Sequence, residues 1–249
     1  MPGKRRDARL ARFQRRRLQE ASALLARIST DEVALMSLWA AVGEMERLLP
    51  DSDYMRAVYF GSARIDDPEH PTYLETEYLS TELSKLGMDC VTGGGPALMT
   101  AASRGASRGG QGHILVHGAC IEQVNREEKP NPFLTRAFTH RCFPTRLHQF
   151  VVLGRQGIFI GLRGAGIGTL LEVMLVWQLL QVAHIIGCPL VCIGDFWAEL
   201  KDLMRKHMVP NGCARDEEID ILQVVHHVDD VIAIAAKTQE KFLALKVAS

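Results

Sequence analysis

From residue 55 onward, short apolar runs alternate with longer stretches in which apolar residues recur at the three- and four-residue spacing of a helix. Ala57-Val-Tyr-Phe60, Met88-Asp-Cys-Val91 and the segments 113–117, 157–162, 189–193 and 222–225 read as buried strands. Between them, residues 73–86, 98–106, 170–186 and 196–207 read as helices, and a further helix follows residue 225. Tyr73 to Leu86 stops at Gly87, a usual helix terminator. Strand and helix in alternation predict an α/β fold: a doubly wound, mostly parallel sheet covered on both faces.

Before that domain the pattern differs. Leu10, Phe13, Ala21, Leu24, Leu25 and Ile28 keep near-helical spacing with arginines between them. Ser29-Thr-Asp-Glu32 is a capping-box sequence, and a second helix over 33–49 stops at Pro50. Residues 1–50 therefore read as a helical extension and 51–249 as the main domain. Nine basic residues against Asp7 and Glu20 give residues 1–27 a charge of +7, so the other 222 residues carry −7, because the chain as a whole is neutral. The basic face suits a targeting peptide, a nucleic-acid arm, a solvated helix face or an oligomer contact, and the last two are preferred. With an acidic remainder, nucleic acid is not the expected partner.

Composition narrows the class. Of 249 residues 47% are hydrophobic and 23% charged, as in a globular protein. The most apolar stretch, 170–186, is interrupted by Glu172, Gln178, Gln181 and His184, so it reads as a buried helix and not a membrane span. The six cysteines form no CxxC pair, no secretory signal opens the chain, and a reducing, cytoplasmic setting is expected. His113 and His117 would share a strand face and His226 and His227 would point to opposite faces, but no third ligand accompanies either pair, so no metal is expected. Cys142, beside Arg141, lacks an assignable histidine and reads as an inert thiol.

Chemistry concentrates at three strand ends rich in small residues: Gly61-Ser62-Ala63-Arg64, Gly93-Gly94-Gly95-Pro96 and residues 164–169. In doubly wound sheets the carboxyl ends of the strands form the ligand crevice. The second and third loops each open a helix, with Pro96 suited to a first helical position, and two helix N-termini facing one crevice would attract a phosphate. No Gly-Lys-Ser/Thr follows either loop, which disfavours nucleoside triphosphate hydrolysis, and a full GxGxxG is missing. Glu172, three residues beyond Thr169, reads equally as a carboxylate stabilising the first helical turn and as one pointing into the crevice. Arg146, in Phe143-Pro-Thr-Arg146, precedes an amphipathic segment and taken alone reads as a surface or ion-pair residue.

Taken in order, Val58-Tyr-Phe-Gly-Ser-Ala-Arg64, Thr92-Gly-Gly-Gly-Pro-Ala-Leu-Met99, Arg104-Gly-Ala106, Asn131-Pro-Phe133, Phe143-Pro-Thr-Arg146 and Gly166-Ile-Gly-Thr-Leu-Leu-Glu172 resemble the LOG family, once described as lysine decarboxylases and better described as nucleoside 5′-monophosphate phosphoribohydrolases. The resemblance covers about residues 56–240. It implies a Rossmann-like fold, a homodimer or higher homo-oligomer, no cofactor, and cleavage of a nucleoside monophosphate to free base and ribose 5-phosphate, with a purine favoured. By the same resemblance Arg146 and Glu172 would be catalytic. Gly61, Ser62, Gly93, Gly94, Gly95, Pro96, Met99, Gly166, Gly168 and Thr169 would bind the substrate. The chain departs from the family pattern at Gly164 and Ala165, where proline and glycine are usual, at Leu147, at Ala97 and in Thr100-Ala-Ala-Ser103. A Cβ where backbone approaches phosphate weakens binding. The departures therefore imply altered substrate choice, or a non-catalytic nucleotide or cofactor carrier on the same fold.

Overall fold

The computed structural model describes residues 54–122 and 129–248; the helices expected over 8–28 and 33–49 lie outside them. Seven strands form a single parallel sheet: β1 (Arg56–Phe60), β2 (Asp89–Thr92), β3 (Val116–Ile121), β4 (Arg136–His140), β5 (Gly157–Gly161), β6 (Leu190–Ile193) and β7 (Leu222–Val225). Their order across the sheet is β4-β3-β2-β1-β5-β6-β7. The chain winds outward from β1 in one direction, returns to β5 on its other side and winds outward again, which is the doubly wound, Rossmann-like α/β fold.

The described helices are α1 (Pro71–Lys85), α2 (Leu98–Gly110), α3 (Phe143–Gly154), α4 (Ile167–Gln181), α5 (Asp195–Met208), the short α6 (Asp216–Asp220) and α7 (Val228–Ala248). Strand alternation divides the apolar residues between two cores. Ala57 and Tyr59 of β1 join Leu79, Leu83, Leu98, Ala102 and Val231 beneath α1, α2 and α7. Val58 and Phe60 join Phe150, Leu153, Val173, Val176 and Trp197 beneath α3, α4 and α5. Every residue of β1 is buried, as a central strand covered on both faces requires.

Local chemistry sets the element ends. His70 caps α1 by accepting the Thr72 N–H on Nδ1 at 3.1 Å, with Pro71 in the first turn where its missing N–H costs nothing. Several sequence expectations need correction. The third strand runs over Val116–Ile121, not 113–117, because residues 111–114 form a turn with Gly112 at φ +83°. His113 and His117 therefore do not share a strand. His226 and His227 lie past the end of β7, in the turn to α7. The helix expected over 170–186 is α4, which begins at Ile167 and stops at Gln181, where Val182 and Ala183 leave helical geometry and Ala183 has φ +57°. Strand β4 and helix α6 had no counterpart in the sequence pattern.

Ala97, the residue that opens α2, sits at φ 62°, ψ −128°. This backbone region is essentially reserved for glycine, and an alanine there carries strain of about 1–3 kcal/mol. Pro96 accordingly lies outside the helix, one residue before its cap, and not at the first helical position. Ala97→Gly should raise stability by about 1 kcal/mol, since relief of strain outweighs the greater freedom glycine has in the unfolded chain. A shifted urea midpoint at unchanged slope is the readout.

Candidate functional site

A crevice of about 570 Å³ opens at the carboxyl ends of the strands, on the seam between β1 and β5 where the winding reverses. Gly61, Ser62 and Arg64 from the β1 loop form one side of it, Gly93 from the β2–α2 loop and Met99 from the first turn of α2 another, and Gly166, Gly168 and Thr169 from the start of α4 a third. Arg146 and Glu172 reach it from α3 and α4. The structure thus brings together nine of the sequence candidates besides Arg64. Gly94, Gly95 and Pro96 do not line the crevice.

Gly94 and Gly95 serve the scaffold. The Gly94 N–H donates to Thr92 Oγ1 at 3.0 Å, its carbonyl accepts the Asn131 N–H at 2.9 Å, and the Gly95 carbonyl accepts from Thr100 Oγ1 and Asn131 Nδ2 at 3.1 and 3.3 Å. Buried Asn131 also donates to Ser103 Oγ at 3.2 Å, tying the loop to α2. The Gly94 N–H and the Gly94 and Gly95 carbonyls are therefore spent internally, and Gly93 alone among the loop's glycines meets the crevice.

The α4 end of the crevice has the opposite character. Gly166 is its N-cap, without a side-chain hydrogen bond, so the first-turn N–H groups of Ile167, Gly168 and Thr169 have no partner within the helix. A Cβ at Gly168 would meet nothing within 4 Å, and one at Gly166 only Ser62 Oγ at 3.9 Å. Open space thus stands over an uncapped N-terminus of a fifteen-residue helix, with its partial positive charge. The loop before it is tied down by Arg163, whose guanidinium donates twice to Glu75 at 3.1 and 3.2 Å and to the His226 carbonyl at 2.7 Å. Ala165, where the family pattern has glycine, is not in the left-handed region, so its Cβ adds no backbone strain.

Arg146 lies inside α3, not ahead of it, in the first turn after Pro144. Its Nε donates to the Ala119 carbonyl at 2.7 Å and its Nη1 to Glu172 Oε1 at 3.3 Å. The guanidinium carbon lies 5.5 Å from the ring centroid of Phe143 and 5.1 Å from that of Phe150, within cation–π range of both. A Cβ on Gly93 would collide with Arg146 Nη2, so glycine is needed there to let the guanidinium in. Glu172 is in the second turn of α4, past the first-turn position expected for a helix-stabilising carboxylate, and points to Arg146.

Both side chains are nearly closed off, Arg146 at 9% and Glu172 at 7% exposure. Burial pushes the Glu172 carboxyl up to about 7, against the opposing pull of Arg146. A carboxyl in that range can hold or release a proton at neutral pH. The folded protein binds this proton more tightly than the unfolded chain. Stability should therefore fall as pH rises from about 4.5 to about 7, by on the order of 3 kcal/mol, and flatten above. Urea unfolding at pH 5 and pH 8 should show this slope in the native sequence and lose it in Glu172→Gln.

Apolar residues complete the crevice: Tyr59, Ile121, Phe143, Ile167 and Phe196, of which Phe196 and Phe143 are 47% and 40% exposed. Phe196 was missed in the sequence, although it stands just beyond the carboxyl end of β6, where the reasoning applied to the glycine loops also holds. Elsewhere, His117 is buried with Nε2 3.8 Å from Asp89 Oδ2, away from the crevice. Among the described residues no group of three or more His, Cys, Asp or Glu side chains is placed to hold a metal, and no helix is long and apolar enough to cross a membrane. Burial pushes the Cys90 thiol up to about 12 and Cys192 higher still, and Cys142 is half-buried at the cap of α3.

Comparison with known proteins agrees with this architecture. No curated protein matches the chain significantly in sequence. Among solved structures, the molybdenum cofactor carrier protein of Chlamydomonas reinhardtii is similar at 17% identity and a TM-score of 0.54, over 77% of this chain and 99% of that one. The molybdenum cofactor binding protein of the phototrophic bacterium Rippkaea orientalis is similar at 20% identity and a TM-score of 0.50, over 74% and 96%. Both likenesses concern the fold. The family model described as "possible lysine decarboxylase" matches residues 99–235, from the start of α2 into α7, and so takes in Arg146, Glu172 and the glycine loop between them. That match spans more than half of the sequence, and the chain belongs to this family, the LOG family.

Proposed function

We propose that this chain hydrolyses the N-glycosidic bond of nucleoside 5′-monophosphates to free base and ribose 5-phosphate, with a purine base preferred. The observation that carries this reading is the buried Arg146–Glu172 pair at 3.3 Å beside the uncapped end of α4. The 5′-phosphate would take the N–H groups of residues 167–169, with Arg64 at the rim. The ribose would then lie over Glu172 and the base against the exposed faces of Phe143 and Phe196. As the C1′–N bond breaks, its electron pair leaves with the base, which takes up a proton. Water adds through oxygen to C1′ and gives its proton to the Glu172 carboxylate, whose negative charge also stabilises the oxocarbenium-like centre. Arg146 holds Glu172 in place and supplies a cation to the substrate.

Incubating the protein with a panel of nucleoside monophosphates and separating the products tests this directly. Equal amounts of free base and ribose 5-phosphate are expected; tight binding with no release refutes hydrolysis. A second reading, a non-catalytic carrier of a nucleotide or cofactor, draws support from Ala97 and Ala165 in the loops and from the molybdenum cofactor named for the two similar structures. Binding without turnover is its signature. We also propose a homodimer through the outer face of α4, where Leu171 is 47% exposed. Light scattering at micromolar concentration should give twice the chain mass.

A further inference from the structure

We infer that His140 is a positioning residue for Arg146, acting through Thr145 and Gln149. The inference rests on the hydrolase reading for its functional meaning. Strand β4 lies at the edge of the sheet and its residues are part-exposed except the last, His140, which is completely buried. A buried imidazole in place of an apolar side chain costs desolvation unless its nitrogens are engaged. Here Nδ1 lies 3.1 Å from Thr145 Oγ1 and Nε2 meets the Gln149 side-chain carboxamide. Thr145 Oγ1 in turn donates to the Cys142 carbonyl at 2.8 Å. Thr145 precedes Arg146, and Gln149 lies almost one turn beyond it, so the ring grips α3 on both sides of the arginine.

The other end of Arg146 is held by the Ala119 carbonyl on β3. In the β3–β4 register Ala119 pairs with Phe138 and Ile121 with His140. The circuit closes: from Ala119 along β3, across to His140, through Thr145 and Gln149 to α3, and through Arg146 back to Ala119. Backbone and guanidinium of one arginine are thereby referred to the same pair of strands, and the arginine is what faces Glu172. The other charged groups nearby, Arg141 and Glu122, pair with each other at 3.9 Å on the surface, and Arg64 stands at the crevice rim.

The test compares His140→Leu, which keeps burial and approximate volume, with His140→Gln, which keeps a hydrogen-bonding group. Two readouts are used: affinity for adenosine 5′-monophosphate, and the titration midpoint of Glu172 followed by carbon NMR in the ligand-free protein. In His140→Leu, AMP affinity should fall at least tenfold and the Glu172 midpoint should rise by a unit or more, on the order expected when a nearby cation shifts away. His140→Gln should recover part of both. Should His140→Leu fail to fold, Gln149→Leu with Thr145→Val is measured in its place, with the same expectations. A midpoint and an affinity unchanged within twofold would overturn the inference, whatever happens to melting temperature. The Glu172 midpoint needs no substrate. If the native protein neither binds AMP nor releases a base, the hydrolase reading fails while the positioning role is still decided.

Discussion

Replacing Glu172 by glutamine lowers base release by roughly 10²–10⁴-fold and leaves nucleotide affinity within about threefold. The substitution keeps the size of the side chain and a hydrogen-bonding partner for Arg146, but it removes the negative charge and the proton acceptor. Because burial holds the native carboxyl up to about 7, release in the native protein should climb as pH passes through about 7 and level off above it. A kcat that is flat in pH, or a glutamine variant as active as the native protein, would assign the acceptor role elsewhere. The same ionisation that is needed for turnover weakens the ligand-free fold, so activity and stability should run in opposite directions across that pH range.

Arg146→Ala is the second large effect and has a different signature. The guanidinium joins a β3 carbonyl, two aromatic rings and Glu172, so its loss acts on ground-state binding as well as on turnover. A charge-assisted hydrogen bond of this kind contributes about 1.5–3 kcal/mol, which corresponds to a 10- to 100-fold loss of AMP affinity. Without its counter-charge, Glu172 should titrate still higher, so that kcat at pH 7 falls as well. Adenosine, lacking the phosphate, should be cleaved more than about tenfold less efficiently than AMP, because the uncapped end of α4 has nothing to hold. If adenosine is cleaved as well as AMP, the phosphate seat at residues 167–169 is wrong, and if Arg146→Ala changes kcat alone, the arginine does not touch the bound nucleotide.

The strands of the central sheet were legible because both their faces are buried, which leaves runs such as Ala57-Val-Tyr-Phe60 with no polar interruption. Strand β4 escaped for the converse reason. As an edge strand it is half-exposed, and Arg-Ala-Phe-Thr-His carries no apolar run. Strand β3 was misplaced toward His113 because Gly118 dilutes its pattern, although a side chain there would collide with Leu134. The overrun of α4 has a different cause. Ile185 and Cys188 remain buried after the helix has ended, so apolar character continues where helical geometry does not. The glycine loops announced the crevice, but spacing alone could not tell which of their backbone groups face it and which are consumed, the Gly94 N–H by Thr92 and the Gly94 and Gly95 carbonyls by Thr100 and Asn131. Arg146 and Glu172 were each visible, but nothing local says that residues 26 positions apart share a hydrogen bond; only the resemblance suggested a common role.

The position of β1 has a kinetic consequence. It is the first strand of the sheet in the chain, yet one of its two neighbours is β5, with Arg56 opposite Gly157. During vectorial synthesis β1 can pair early with β2, but its other edge stays unsatisfied until β3, β4 and α3 have all emerged. Long-range parallel pairing of this kind makes folding slow relative to helical proteins of similar stability. Chains stalled before residue 157 present a strand that is apolar from Ala57 to Phe60, with a free row of N–H and C=O groups, a template for aggregation. The seam that forms the crevice in the finished molecule is, in the unfinished one, an open β edge.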